Sequence, residues 1–209
     1  MITAPAKGIN ANGIDRANGM NLNRVLYFGD FFVCPVAIMA LAIAALAKEG
    51  MEPIGLWVLA FAIGCGAWTL LEYAIHRWIY HNVGFFDKMH DAHHQDPTGM
   101  IGAPSFLSIG LIFVLFYLPL FFINADIAGG FTSGVLLGYF AYMLVHHASH
   151  HWAPRHGSLL YRLRIAHMAH HYHDEEGNFG VTTAFWDKVF GTYVERRRSG
   201  EHRDVQTSV

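Results

Sequence analysis

Four long apolar runs constrain this chain more than any other feature of its sequence. They cover residues 31–47, 54–71, 105–123 and 127–145. Each is close to the length of about 20 residues that a helix needs to cross a hydrocarbon core of roughly 30 Å. Hydrophobic residues make up 53% of the chain and charged residues 14%, so too little polar sequence remains to cover four such helices in water. The sequence therefore predicts an all-α integral membrane protein.

The links between the runs predict two helical hairpins. Residues 48–53 join the first run to the second, and residues 124–126 join the third to the fourth. In the fourth run, Gly130, Gly134 and Gly138 recur at four-residue spacing, which lets neighbouring helices approach closely in a membrane. We therefore expect four transmembrane helices in two hairpins.

Basic residues are distributed unevenly around these runs. The two hairpin tips contain only Lys48, whereas the termini and the central loop are rich in lysine and arginine. The positive-inside rule then places both termini and the central loop in the cytoplasm, on a bacterial inner membrane or an endoplasmic reticulum membrane. The basic residues on that side include Lys7, Arg16, Arg24, Arg77, Lys88, Arg155, Arg162, Arg164, Lys188, Arg196, Arg197 and Arg198.

Several classes of protein and site are disfavoured by the remaining composition. The net charge of -2 and the lack of a basic stripe argue against nucleic-acid binding. Cys34 and Cys65 lie within apolar runs, so we interpret them as small core residues and not as a disulfide or a pair of reactive thiolates. The first residues show no signal peptide. We expect a mobile tail at 1–24, one membrane domain at 25–195 and a polar tail at 196–209.

The histidines are clustered, and the clusters predict metal binding. Thirteen of the fifteen histidines fall in four groups. On a helix, His167, His170 and His171 lie within an arc of about 100°, so one face offers three nitrogen ligands. Pairs four residues apart, in the third cluster, lie about 40° apart and can chelate. The four clusters are His76 and His81; His90, His93 and His94; His146, His147, His150 and His151; and His167, His170, His171 and His173.

The number of clustered histidines indicates two metals. A structural zinc site uses four ligands, whereas ten or more imidazoles stand here, and imidazole suits iron, zinc, copper or nickel. The five-residue step from His76 to His81 turns about 140° on an α-helix and suits either two different metals or a broken last turn. The roles of His147, His151 and His173 stay open. The ten main candidate ligands are His76, His81, His90, His93, His94, His146, His150, His167, His170 and His171.

Carboxylates near the clusters are candidates for orienting the ring N–H groups of the ligands. Glu72 stands out because it precedes His76 by four residues. Asp91 and the run from Asp174 to Glu176 are further candidates, although a solvated surface is an equally good interpretation of that run.

The order and spacing of these motifs resemble the fatty acid hydroxylase/sterol desaturase superfamily. Its members carry His-x-x-x-x-His, His-x-x-His-His, His-x-x-x-His and a final His-x-x-His-His, which match ranges 76–81, 90–94, 146–150 and 167–171 here. Residues 177–192 look most like the fatty acid 2-hydroxylases that act on sphingolipid acyl chains. The resemblance covers residues 31–192.

The resemblance implies a di-iron oxygenase with a four-helix membrane base and a cytosolic helical cap that carries the dimetal site. Its substrate would be a lipid acyl chain that enters from the bilayer and is hydroxylated at carbon 2 with dioxygen and two electrons. Many eukaryotic relatives carry a fused haem domain, for which this sequence leaves no room. We therefore expect a separate donor, either a b-type cytochrome or a ferredoxin with its reductase. Zinc can replace iron in a purified sample.

Two other functions stay open. The first is a hydroxylase or desaturase of carotenoids or sterols from the same superfamily. The second is a metal-binding or metal-transporting membrane protein without catalysis. Transporters place ionisable residues inside their membrane segments, whereas these histidines lie outside the four apolar runs, which disfavours transport.

Overall fold

The computed structural model describes residues 21–195, and every regular element in that range is a helix. The only extended pairing among these residues is an isolated bridge between Asn21 and Ile101. The all-α prediction is confirmed. The predicted tails lie outside the described residues, except for positions 21–24. The helices are α1 (Arg24–Leu46), α2 (Glu52–Ala74), α3 (Gly84–Gln95), α4 (Ser105–Ile112), α5 (Leu118–Phe121), α6 (Ala125–His151), α7 (Leu159–Tyr172) and α8 (Phe185–Phe190).

Two π-helical segments extend or join these helices. Ile75–Tyr80 continues α2, and Phe113–Tyr117 joins α4 to α5. Among residues 21–195, three helices are long and apolar enough to cross a membrane: α1, the combined helix Glu52–Tyr80, and α6. The third predicted span becomes the shorter helix Ser105–Phe121, about 25 Å long at 1.5 Å per residue. Three of the four predicted spans are therefore confirmed by length and composition.

The closest helix contact joins α2 to α6 along Gly130, Gly134 and Gly138, which we call the glycine stripe. A Cβ atom at Gly130 would overlap the backbone carbonyl of Trp57, and one at Gly134 would overlap that of Phe61. Gly138 faces the ring of Trp68 in the same way. The predicted close approach is confirmed, because a side chain at Gly130 or Gly134 would push the two backbones apart.

An apolar core lies between α1, α2, α4 and α6. Its buried members include Cys34, Trp68 and Leu136. Both cysteines are free, as predicted. By contrast, Phe32 and Ile43 on α1 and Phe122 after α5 are more than 60% exposed. Such large exposed apolar side chains on long helices are expected where lipid is the solvent.

Candidate metal centre

Ten histidines converge into two groups of five at one end of the helices. Within each group, one ring nitrogen from every member lies within 4.8 Å of the others. All ten are the main candidates from the sequence. The first histidine group contains His76, His81, His90, His94 and His170, and the second histidine group contains His93, His146, His150, His167 and His171.

Each group draws on three helical segments, and two of the motifs are divided between the groups. In α3, the pair His90 and His94 joins the first group while His93 joins the second. In α7 the division is reversed, because His170 joins the first group while His167 and His171 join the second. The remaining pairs come from the ends of the two helices that touch along the glycine stripe. Contact between α2 and α6 therefore fixes the spacing of the two groups.

The π-helical end of α2 explains the five-residue step between its two histidines. A π-helix bonds residue i to residue i+5, so positions five apart lie nearly above one another. His76 and His81 accordingly stack with ring centroids 5.5 Å apart and an interplanar angle of 20°. Of the two alternatives from the sequence, the structure has the modified last turn, and both rings serve one group.

The separations between ring nitrogens match those of ligands on a shared ion. Two imidazoles about 2.1 Å from one metal lie roughly 3.0 Å apart at right angles and 3.4 Å apart at tetrahedral angles. The residues of both groups therefore fit metal ions. The Nε2 distances are 3.0 Å for His76 and His90, 3.0 Å for His90 and His94, 3.3 Å for His81 and His170, 2.9 Å for His150 and His167, and 3.1 Å for His167 and His171.

Burial keeps these rings uncharged, which is the form that binds metal. Loss of solvent lowers the pKa of His94 to about 3 and that of His170 to about 4. The pKa values of His93 and His167 lie well below the ordinary value, first because of burial and then because of neighbouring imidazoles. At neutral pH these rings present lone pairs, not positive charges.

A loop after α7 orients two candidate ligands of the first group through its backbone. The Nδ1 atom of His76 lies 2.6 Å from the Phe179 carbonyl oxygen, and that of His170 lies 2.9 Å from the Gly177 carbonyl oxygen. Asn178, between them, has a positive φ of 56°, a conformation that asparagine tolerates better than most residues. An Nδ1–H bonded to a carbonyl leaves Nε2 as the metal-binding atom.

Two buried carboxylates hold this loop in place. Glu72 accepts hydrogen bonds from the backbone N–H groups of Val181 and Thr182, at 2.6 and 2.8 Å. Asp187 accepts from those of Phe179 and Gly180, at 2.8 and 2.9 Å. Glu72 therefore acts on the site through the loop, and not by the direct contact with a histidine that its spacing suggested. Asn178 beside Gly177 was the sequence signal for a turn at this position.

The two groups differ in how many of their Nδ1 atoms, which face away from the other ring nitrogens of the group, have a polar partner. In the first group, Nδ1 of His94 also faces an oxygen, that of Glu175 at 3.9 Å. In the second, the Nδ1 atoms of His93, His167 and His171 are buried without a hydrogen-bond partner among the described residues. The hydrogen bonds of His76 and His170 to backbone carbonyls are of the kind that raises metal affinity, so we expect the first group to hold metal more tightly.

The other sequence candidates lie outside both groups. The ring of His147 lies 3.4 Å from the hydroxyl of Tyr27 and stacks on His151, with centroids 4.2 Å apart. His151 and His173 are exposed. Asp91 accepts a hydrogen bond from Gln95 at 2.9 Å and, among the described hydrogen bonds, touches no histidine.

Replacing Glu72 by leucine is expected to loosen the loop and weaken metal binding to the first group. The change leaves the backbone donors at 181 and 182 and the indole of Trp68 without their acceptor. Loss of such outer-sphere order costs about 10- to 100-fold in metal affinity. Metal content per chain after dialysis against a graded chelator series measures this. Glu52→Leu, at the exposed start of the same helix, should bind metal like the unaltered protein; equal retention by both variants would contradict the role of the loop.

Comparison with known proteins supports the resemblance to fatty acid hydroxylases that the histidine motifs indicate. The family model described as fatty acid hydroxylase matches residues 61–192. Fatty acid 2-hydroxylase of Macaca fascicularis is 33% identical over 150 residues, which are 66% of this chain and 40% of that protein. Dihydroceramide fatty acyl 2-hydroxylase FAH2 of Arabidopsis thaliana is 32% identical over 169 residues, 76% of this chain and 69% of that protein.

A solved structure shares the fold. The hydroxylase domain visible in full-length scs7p superposes with a TM-score of 0.66 and 26% identity, covering 84% of this chain and 68% of that one. The chain spans about two fifths of the length of the first mammalian relatives that it matches. The matched segment nevertheless contains all ten histidines of the two groups, and on this evidence the chain belongs to the fatty acid hydroxylase family.

Proposed function

We propose that this chain is a membrane-bound di-iron oxygenase that hydroxylates carbon 2 of a lipid acyl chain, in a fatty acid or a sphingolipid. The observation that carries the proposal is the pair of five-histidine groups at the wall of one cavity. Iron held by these histidines would supply the dioxygen chemistry, in which two electrons and two protons are consumed, one oxygen atom enters a C–H bond and the other leaves as water. The names of the relatives, which are acyl 2-hydroxylases, support the position of attack.

The cavity, which we call the central cavity, gives the substrate its place. It has a volume of about 90 Å³ and is lined by ligands of both groups, His90 from the first and His93 and His146 from the second. Apolar side chains such as Met89 and Ile101 form other parts of its wall. A space of this size admits only a few atoms of a lipid. The lining would therefore select which carbon approaches the histidine groups.

The metal is proposed to be iron, two ions per chain, one in each group. An all-imidazole donor set also suits zinc, and affinity alone favours zinc over ferrous iron. A purified sample that contains zinc would therefore be compatible with an iron enzyme.

The membrane arrangement is also proposed: Ser105–Phe121 crosses as the fourth span, and the histidine groups and both termini face the cytoplasm. One contact supports the arrangement in two hairpins. Lys48 in the first tip pairs with Asp126 in the second at 2.6 Å, so the two tips lie together. The histidine groups lie at the opposite ends of the same helices, where the basic residues concentrate.

The two electrons are proposed to come from a separate donor protein, a b-type cytochrome or a ferredoxin with its reductase. The lipid substrate is proposed to arrive from the bilayer, since the helices around the central cavity expose large apolar side chains to lipid.

The function is tested by expressing the chain with a donor system in a host that makes fatty acids, sphingolipids and carotenoids. Mass spectrometry of extracted lipids is expected to show an added oxygen at acyl carbon 2. Oxygen on a carotenoid or sterol ring would move the chain to another branch of the superfamily. If iron-loaded protein with a working donor gave no new product, the oxygenase proposal would fail.

A further inference from the structure

The short helix α8 has two faces of different character. Its inner face carries Asp187, which is fully buried and anchors the loop that orients His76 and His170. Its outer face carries Phe185 and Val189, which lie four residues apart and are 57% and 54% exposed. An α-helix turns 100° per residue, so these two side chains lie on the side opposite Asp187. Exposed apolar faces of this kind mark surfaces that contact another molecule or lipid.

Contacts with α2 fix where α8 lies. The indole Nε1 of Trp186 donates a hydrogen bond to the Oγ1 atom of Thr69 at 3.0 Å. The ring of Phe190 stacks on that of Tyr73, with centroids 5.2 Å apart and an interplanar angle of 19°. Thr69 and Tyr73 lie four residues apart, on one face of α2. The short helix therefore lies against the side of a membrane-spanning helix.

The length of α2 places this contact at a boundary of the membrane. The combined helix Glu52–Tyr80 has 29 residues, about 43 Å at 1.5 Å per residue, and so exceeds a hydrocarbon core of roughly 30 Å. It follows the tip that contains Lys48, whose charge pair with Asp126 marks one boundary. From Glu52 to Tyr73 the helix rises about 32 Å. The opposite boundary therefore falls where α8 lies.

The side of α2 that holds α8 is also exposed along the membrane. Leu59, Ile63 and Leu70 are 60%, 55% and 38% exposed. At 100° per residue, all three lie within about 80° of Tyr73 around the helix axis. Lipid covers such side chains in a membrane helix. The outer face of α8 therefore continues a lipid-covered surface, at the depth where acyl chains meet headgroups.

The residues beside the outer face fit a headgroup region. Lys188 is exposed, and its Nζ atom lies 5.2 Å from the centroid of the Tyr193 ring. Aromatic and basic side chains recur where the hydrocarbon core meets the headgroups, because each has an apolar body and a polar end. The chemistry around α8 therefore fits a lipid surface with phosphate headgroups.

We propose that α8 lies in the lipid boundary, with Phe185 and Val189 among the acyl chains, and that this contact holds the loop that orients His76 and His170. Lipid on the outer face keeps the helix against α2, because its two large apolar side chains would otherwise meet water. Asp187, on the inner face, then keeps the loop backbone in place. The bilayer thus acts on the first histidine group through one short helix.

Quenching of a fluorescent label by acyl-brominated phosphatidylcholine in nanodiscs tests the contact. The label is placed at Phe185→Cys, with Ile63→Cys as the reference within the span and Glu176→Cys as the exposed reference in the loop. Each carries Cys65→Ala, which removes the less buried native thiol. We expect the label at 185 to lose fluorescence as the label at 63 does, while the label at 176 keeps it. An unquenched label at 185, whether it faces water or a second copy of the chain, would overturn the proposal.

Hydrogen exchange of the loop tests the second step without relying on hydroxylase activity. The amides of Phe179 and Gly180 donate to Asp187, so they exchange when the loop opens. Phe185→Asp in nanodiscs should raise their exchange rate about 10-fold, the effect of losing one large apolar contact. Phe185→Leu stays apolar and should match the unaltered chain. Should Phe185→Asp fail to fold, Val189→Ser makes the same comparison with a smaller change.

Equal exchange of these two amides in the polar and the apolar variants would overturn the coupling between lipid and loop. Both readouts are available from a chain without hydroxylase activity. Failure of this proposal is therefore distinguishable from failure of the proposed reaction.

Discussion

Replacing His170 by alanine is expected to abolish formation of the 2-hydroxy acyl product. The side chain is fully buried, belongs to the first histidine group, and is oriented by the Gly177 carbonyl. Loss of an outer partner of a ligand already costs about 10- to 100-fold in metal affinity or activity, so loss of the ligand itself should cost more than about 100-fold. Product analysis by mass spectrometry measures the activity, and elemental analysis measures the metal content. We expect the metal of the first group to be lost in preference to that of the second.

The control lies three residues away. His173 follows α7, is exposed, and belongs to neither group. His173→Ala should therefore retain both metal and product. A His170→Ala protein with normal product, or a His173→Ala protein that loses metal as His170→Ala does, would show that the two groups have been assigned to the wrong histidines.

Replacing Gly134 by alanine is expected to destabilise the protein strongly. The added Cβ would overlap the Phe61 carbonyl oxygen and approach the backbone of Cys65. These are backbone atoms, so relief requires α2 and α6 to separate. Overpacking of this kind costs about 3 kcal/mol at the upper end of its usual range, which corresponds to a fall of roughly 6–12 °C in the Tm of a chain of this size. Thermal unfolding in detergent measures it.

Separation of these helices should also disturb the metal centre, because His76 and His146 extend from the same two helices. Metal content should therefore fall together with the Tm. The matched control is Gly66→Ala on α2, where an added Cβ meets no other atom within 4 Å and alanine favours the helix. A Gly134→Ala protein as stable as Gly66→Ala would mean that the two helices do not pack through this stripe.

Much of the architecture followed from local sequence patterns. The apolar runs predicted helices because a membrane leaves a backbone few other ways to satisfy its hydrogen bonds, and the structure has a helix at each of the four runs. The glycine stripe predicted close packing because its spacing is that of one helix face. The third run was the exception: its helix ends at Phe121, contains a π-helical segment and is shorter than the other three. Such local changes in winding depend on neighbouring helices, which periodicity does not describe.

Motif spacing in the sequence predicted which residues form the candidate centre, and the tertiary structure decided how they are combined. Motif spacing identified all ten histidines of the two groups, since residues three and four apart share a helix face. It placed His167, His170 and His171 on one face, yet the structure sends His170 to the first group and the other two to the second. That division depends on which helix end faces each ring, and so on the packing of α3, α7 and the ends of α2 and α6.

The supporting residues were the least visible in the sequence. Glu72 was a candidate because of its distance from His76, but its role is to anchor a loop more than 100 residues later in the chain. Metal ligands recur at spacings set by helix geometry, which a sequence records directly. Outer hydrogen bonds and cavity walls join distant segments, and only the folded chain brings those segments together.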